Sequence, residues 1–500
     1  MSHLRPDGGQ PRAAAVPAPA RTRHRWAALV LLCAANFAVL LDSQSVILAL
    51  PQLSGDLGMS AGDAQWILSA KLITFGGLLL LGGRTADRLG RRRVFLVGTA
   101  VFILSSVICG FAPNGPVIIG ARVLSGVSAA LMVPTALSIL LNTFPEGRDR
   151  NTALAGWAGI GGIGATAGLL VGGLLTEHLG WQWVFFVNVP IGLLVLVLAP
   201  LLLAESRGRS RDHQGPYNIS GALTSTLALV VVILAVTRAS VNGWTGPRTL
   251  ALLAAFAVLA ALFVAIERRS SSPLLPPDLL RRGTLAGGNL VTLTMGMAAF
   301  GLSVTISLYG QVVLGHGPLE FGLLQSVMPF LAFVGAYAGQ SVVTRIGFRP
   351  VVGAGLVLLC AGALLLSRVP VDGEYVPDIL WGLVVFGPGL GAGTAAASVA
   401  ALARVPERAS GVASGLTVAA LQVGGALGIA IVTSVATTYS TGPGPEGTTA
   451  GLRAAFTACA VFAVVGMVLA AALLRRPGPG AAVPPDSGAP GRERDLPLVR

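Results

Sequence analysis

Apolar residues in this chain gather into long runs, broken by short stretches where Arg, Asp, Pro and Gly cluster. A run of about twenty apolar residues wound into a helix crosses the ~30 Å hydrocarbon core of a bilayer. From Trp26 to Leu474 the pattern predicts fourteen such spans, at 26–50, 64–82, 94–112, 116–141, 152–176, 184–204, 217–237, 249–266, 284–314, 320–343, 350–367, 379–402, 409–436 and 452–474. The expected fold class is therefore an all-α integral membrane protein. Residues 1–25 and 475–500, rich in Pro and charge, read as disordered tails. The first apolar run is too long for a cleaved signal peptide and carries Asp42, so it reads as a retained span.

The loops give an independent check on the count. With both termini cytoplasmic, all but six of the 34 basic residues fall in the tails and in alternate, cytoplasmic loops. The exceptions are Arg238, Arg248, Arg368 and Arg453 on the outer side and Lys71 and Arg122 within spans. One span more or fewer would reverse this asymmetry for everything after it. Composition agrees: 53% of residues are hydrophobic and 11% charged, against about a quarter charged in a soluble domain. The 66 glycines suit spans that approach one another closely. The net charge of +13 lies in scattered short loops, which points to lipid headgroups and topology rather than nucleic acid. Cys33, Cys109, Cys360 and Cys459 stand singly in different spans and read as small apolar fillers, so neither a metal nor a disulfide is expected.

An internal repeat organises the spans. In "RLGRRRVFLVG" (88–98) and "RIGFRPVVGAG" (345–355), Arg88, Gly90, Arg92 and Gly98 match Arg345, Gly347, Arg349 and Gly355 at one constant offset. Both stretches fall between the second and third spans of two six-span groups. Parallel halves related about the membrane normal, with cargo bound between them, form a transporter architecture. The expected division is a six-helix bundle at 26–204, two extra helices within 205–283, and a second six-helix bundle at 284–474.

At this point the sequence resembles a known family. "GGRTADRLGRRR" (82–93) is similar to the loop signature of the major facilitator superfamily. "LDSQSVILALPQL" (41–53), "ARVLSGVSAA" (121–130), the glycine-rich 159–173 and "WQWVFFVNVPIG" (181–192) resemble its fourteen-spanner drug:proton antiporter branch, as do "PERASGVASG" (406–415) and "QVGGALG" (422–428) in the second half. The resemblance implies a major facilitator fold of two bundles with two additional central helices. It implies that Gly83, Asp87, Arg88, Gly90, Arg91 and Arg92 form a cytoplasmic gating loop, made in one access state and broken in the other. Gly83 and Asp87, four apart, share a helix face where glycine admits a close neighbour. Thr344 stands opposite Asp87 in the second copy, and Thr85 replaces the usual leucine.

Span five carries Gly161, Gly164, Gly168 and Gly172 at spacings of three, four and four, one smooth face for helix packing, followed by Gly173. The resemblance implies the antiporter signature, a leak-proof helix between the halves, although Leu169 stands where the family usually has proline. The only lysine of the chain, Lys71, lies inside a span, as do Asp42 and Arg122. Counted from the nearest outer breaks, Pro51, Asp63 and Pro116, the three lie ~13, ~12 and ~9 Å deep. Intramembrane charges at one depth face a bundle interior or a wet cavity, and they mark either function or a structural ion pair that holds spans one, two and four together. Asp42 and Arg122 match the family's signatures, whereas Lys71 replaces an aromatic residue and Ser125 a common glutamine. The expectation is that Asp42 exchanges protons under the influence of Lys71 and Arg122, and that freeing Lys71 is coupled to substrate entry. The second half offers uncharged polar groups, Gln311, Gln325, Asn289 and Gln422, suited to a small amphiphilic substrate.

The expected activity is proton-coupled export of drugs or antibiotics across a bacterial inner membrane. A transporter of other cargo, taking up a metabolite or exporting a lipid or peptide product, is the alternative that Leu169 keeps open. The chain has no GxxxxGK[ST] nucleotide loop and no loop cluster of Asp, His or Cys, so neither an ATP-driven pump, an enzyme nor a cofactor is expected. The partners implied are cargo, protons and lipid, with no obligate protein partner.

Overall fold

A helix closes its own backbone hydrogen bonds, so it is the form that an unbroken apolar run must take in lipid. The structure, a computed structural model, describes residues 22–205, 218–270, 284–403, 405, 410–442 and 444–474. The tails at 1–21 and 475–500 and most of two arginine-bearing loops, 206–217 and 271–283, lie outside the described residues. Among the described residues fourteen helices are long and apolar enough to cross a membrane. The protein is a multi-pass membrane protein.

The first six spans are α1 (Thr22–Asp56), α2 (Ala61–Leu89), α3 (Arg91–Gly110), α4 (Gly115–Thr143), α5 (Arg148–His178) and the broken pair α6 (Trp183–Phe186) and α7 (Asn188–Leu202). Two further spans follow, α8 (Ile219–Asn242) and α9 (Pro247–Arg269). The last six are α10 (Leu285–Leu308) with a π turn at Tyr309–Val313, α11 (Pro318–Gln325) leading into α12 (Val327–Ile346), α13 (Phe348–Leu366), α14 (Trp381–Leu402) entered by a π turn at Tyr375–Leu380, α15 (Ser410–Tyr439) and α16 (Pro445–Leu473).

Buried residues gather in three main clusters. One holds residues between Ala28 and Leu203. A second holds residues between Val291 and Leu474, joined by Leu48 and Leu169. The third links α1, α2 and α4 to Ile233 and Val236 of α8, Val304 of α10 and Ala426, Ile429 and Ala430 of α15. The helix α8 bridges both sets: Gln65 donates to the Thr237 hydroxyl (2.6 Å), and Ser434 of α15 donates to the Val236 carbonyl (3.0 Å).

The repeated motifs do the same work twice. Gly90 and Gly347 are the joints between consecutive helices, with φ of +105° and +83°, a region that side chains other than glycine rarely adopt. Arg92 donates to the Leu203 carbonyl at the end of α7 (3.2 Å), and Arg349 to the Ala471 carbonyl near the end of α16 (3.4 Å). Gly98 packs α3 on Met132 of α4, and Gly355 packs α13 on Gly393 and Gly389 of α14. Constant offset in sequence has become matching position in space.

Two helix boundaries differ from expectation. Helix α1 starts at Thr22, inside the expected tail, and continues through Pro51 to Asp56. Proline inside a helix leaves the carbonyl four residues earlier without its usual donor; for Pro51 that is Ile47, and Ser307 of α10 donates to it (3.2 Å). Helix α2 likewise runs through most of the expected loop signature, to Leu89.

A prediction follows from the glycine contacts. A Cβ at Gly355 would lie 2.7 Å from the Gly393 Cα and 2.8 Å from the Gly389 carbonyl oxygen, whereas one at Gly353 on the same helix meets nothing within 4 Å. Gly355→Val should destabilise by about 1–3 kcal/mol through overpacking against backbone, and Gly353→Val should stay within about 0.5 kcal/mol. Thermal unfolding of the two purified variants checks the difference.

Candidate functional site

Three helices each bring one ionisable side chain to a common point. Asp42 on α1, Lys71 on α2 and Arg122 on α4 are each 1% exposed. The Lys71 Nζ lies 2.5 Å and the Arg122 Nη1 2.8 Å from the same Asp42 oxygen, Oδ2. Lys71 also donates to the Ser43 hydroxyl (2.6 Å) and the Val39 carbonyl (3.2 Å), both on α1. Arg122 Nε donates to the Ile67 carbonyl of α2 (2.9 Å). The close approach of α2 and α4 here depends on Gly126, one turn beyond Arg122, where a Cβ would lie 2.6 Å from the Lys71 carbonyl oxygen.

The stretch "WQWVFFVNVPIG" supplies a second ring of contacts. Trp181, Phe185 and Asn188, spaced four and three apart, face the first span. Trp181 Nε1 donates to Asp56 (2.9 Å), the Phe185 ring lies 5.8 Å from the Arg122 guanidinium carbon, and Asn188 donates to Asp42 Oδ1 (3.3 Å). Ser125 donates weakly to Oδ2 (3.4 Å). Asn188 was not among the expected site residues. Its signal was available, since it is an amide inside an apolar span in a stretch already singled out.

A narrow crevice opens beside the charges, lined by Ser43, Lys71, Leu72 and Arg122 from the first six spans and by Phe300 and Ile429 from the last six. In this conformation it admits little more than a water molecule. The glutamines expected to join the cavity are not among the residues that line this crevice. Gln311 donates to Ser307 (2.8 Å), the residue that caps Ile47; Gln325 is fully buried and donates to the Ser303 carbonyl (3.1 Å); Gln422 packs beside Gly76. Asn289 accepts from Thr417 (2.9 Å), a link between α10 and α15.

The glycine helix has two working faces rather than one. Gly164, Gly168 and Gly172 seat α5 on Leu40, Leu41, Gln44 and Ser45 of α1, the residues flanking Asp42. The Ser45 hydroxyl lies 2.8 Å from the Gly168 carbonyl. Gly173 lies on Pro318 and Leu319, and the Leu169 carbonyl abuts Gly322, so the other face closes against α11. At that end Glu177 accepts a hydrogen bond from the Leu319 backbone (2.9 Å). Gly161 has open space where a Cβ would stand, while its neighbour Gly162 packs under Phe333 of α12.

In the loop signature Asp87 pairs with Arg91 one turn on (2.9 Å), and Arg88 is half-buried beside them. The close approach expected at Gly83 is made by Gly82, whose Cβ would lie 2.0 Å from the Ala130 carbonyl oxygen. Pro134 leaves that carbonyl without its helix donor, which permits the contact. Glu205, unforeseen from sequence, accepts from the Arg92 backbone (3.2 Å) and lies 3.8 and 3.7 Å from the Arg92 and Arg93 guanidiniums. Among the described residues no group of His, Cys, Asp and Glu could hold a metal ion.

The model of a family described as the Major Facilitator Superfamily matches residues 32–429 and again 288–497. The chain is 35% identical over 463 residues to a puromycin resistance protein of Streptomyces alboniger, covering 90% of each chain. It is 36% identical over 473 residues to a cephamycin export protein of Amycolatopsis lactamdurans, covering 92% of this chain and 95% of that one. Among solved structures, a bacterial homologue of the human lysosomal transporter Spinster, inward-facing and unoccupied, superposes with a TM-score of 0.65 at 16% identity, over 90% of this chain and 96% of that one. At that identity the likeness concerns the fold alone.

Removing one partner of a buried ionic group strands the others, typically at about 3–5 kcal/mol. Asp42→Asn should therefore lower thermal stability markedly, and adding Lys71→Met to it should recover part of the loss by removing one stranded cation. Equal melting of Asp42→Asn and the parent protein would contradict this reading of the cluster.

Proposed function

The chain belongs to the major facilitator superfamily, and we propose that it exports drugs or antibiotics in exchange for protons by alternating access, with Asp42 as the proton-exchanging group. Its fourteen spans and its relatives, which include a puromycin resistance protein and a cephamycin export protein, support export. The observation that carries the proton reading is the buried carboxylate on α1 held by cations from α2 and α4. Buried intramembrane ionisable groups of this kind serve proton relays.

The mechanism follows from what a proton would change. Ionised, Asp42 holds Lys71 and Arg122 and so ties three helices together. Protonated, it loses the charge that both pairs depend on, and the three helices are free to shift relative to one another. Because α5 seats its glycines on α1 around Asp42 and presses its other face on α11, a shift of α1 reaches the contact between the two sets of spans. The first six and last six spans act as the two rocking bundles, with α8 as an insertion that rides against both and α9 packed on α8. Gly83, Asp87, Arg88, Gly90, Arg91 and Arg92 serve as the gating loop, with the Asp87–Arg91 pair formed in this state. The charge pattern of the loops supports cytoplasmic termini, and the bacterial relatives support a bacterial inner membrane.

The test is substrate-induced collapse of a preset pH gradient in inside-out vesicles, across a panel of candidate compounds. Collapse with at least one compound is expected, with Asp42→Asn reducing it to background and Lys71→Ala shifting its pH profile. No response to any compound, with normal insertion, would favour another cargo. An unchanged profile in Lys71→Ala would remove that residue from coupling.

A further inference from the structure

The charge count of the site specifies more than proton exchange. One carboxylate, Asp42, faces two cations, Lys71 and Arg122, and all three are buried. The other acids on the contributing helices, Asp56 on α1 and Asp63 and Asp87 on α2, stand near helix ends, and α4 has none. Asp63 is eight residues, ~12 Å, from Lys71 along the axis. The crevice wall contributed by the last six spans comes from α10 and α15, whose helices contain no Asp or Glu. With Asp42 ionised the site therefore holds one positive charge more than its own acid balances, and with Asp42 protonated it holds two. A buried charge without a counter-charge is strongly unfavourable, and a ligand that supplies one is correspondingly favoured.

The crevice reaches that surplus, and its widening in another access state would admit a ligand there. Lys71 and Arg122 line one side together with Ser43, while Phe300 and Ile429 line the other with aromatic and aliphatic surface. Resting on the export reading above, we propose that the cargo is an amphiphile carrying one acidic group, whose anion sits at Lys71 and Arg122 while its apolar body lies along Phe300, Leu72 and Ile429. Asp42 keeps its own bonds, the cargo's anion replaces the Ser43 hydroxyl as an acceptor from Lys71, whose three N–H donors are otherwise taken by Asp42, Ser43 and Val39, and its charge balances the remaining one, so the loaded site is neutral. Lys71 sets the preference, by excluding lipophilic cations and rewarding anions over neutral isosteres. Outward movement of an anion is also favoured by an inside-negative membrane potential, so the cargo's charge adds to the driving force.

The experiment measures binding to the purified full chain of three probes with one naphthyl body: the carboxylate, the primary amide and the primary ammonium compound. The carboxylate should bind at least about tenfold more tightly than the amide, and the ammonium compound most weakly. Lys71→Met should erase the difference between carboxylate and amide, and Lys71→Arg should retain it. Equal binding of carboxylate and amide, tightest binding of the ammonium compound, a carboxylate preference that survives Lys71→Met, or no binding of any probe would each overturn the proposal. The vesicle assay judges export separately: export of neutral compounds with protons, without carboxylate preference, would leave that reading standing and remove this one.

Discussion

One carboxylate shared by two cations organises this molecule. Asp42, Lys71 and Arg122 come from three different helices, and none of them could remain charged in the bilayer interior alone. Their mutual satisfaction fixes the rotation of α1, α2 and α4 about their axes, because each must turn its charged face inward. It also fixes their spacing, since the Lys71–Asp42 and Arg122–Asp42 contacts at 2.5 and 2.8 Å leave no slack. Gly126 on α4 and the glycines of α5 follow as the small residues that let neighbouring backbones close around this point. The same interaction that holds the helices is the one that protonation of Asp42 would cancel in the proposed mechanism.

Much of this was legible in the amino-acid order. Long apolar runs can only be spans, and the arginine pattern of the loops checks their number, so fourteen helices were foreseeable. The repeat was legible too: Arg92 and Arg349, and Gly90 and Gly347, hold equivalent posts because the same local chemistry recurs at the same place in two sets of helices. The three buried charges could be found because charge inside an apolar run is rare. Asn188 was missed because an amide in a span is commonly a helix-to-helix hydrogen bond, and periodicity does not say which carboxylate it meets.

The misreadings share a physical cause. Pro51 looked like the end of α1, but the carbonyl it orphans is taken by Ser307, 260 positions along the chain, so the helix continues. Gly82, not Gly83, makes the tight approach because Pro134 on α4 leaves the Ala130 carbonyl free to receive it. Gly161 drops out of the glycine face, and Gly162 and Gly173 turn toward other helices, because α5 is gripped on two sides. In each case the deciding partner lies on a distant helix, and local spacing cannot reveal it.

The most direct measurement is infrared difference spectroscopy of the purified protein through a cycle of acidification and neutralisation, comparing the parent chain with Asp42→Asn. The account predicts a carboxylic-acid carbonyl band that appears on acidification, disappears on return to neutral pH, and is absent from Asp42→Asn. A spectrum in which that band never forms over the pH range where transport operates, or forms equally in Asp42→Asn, would contradict it.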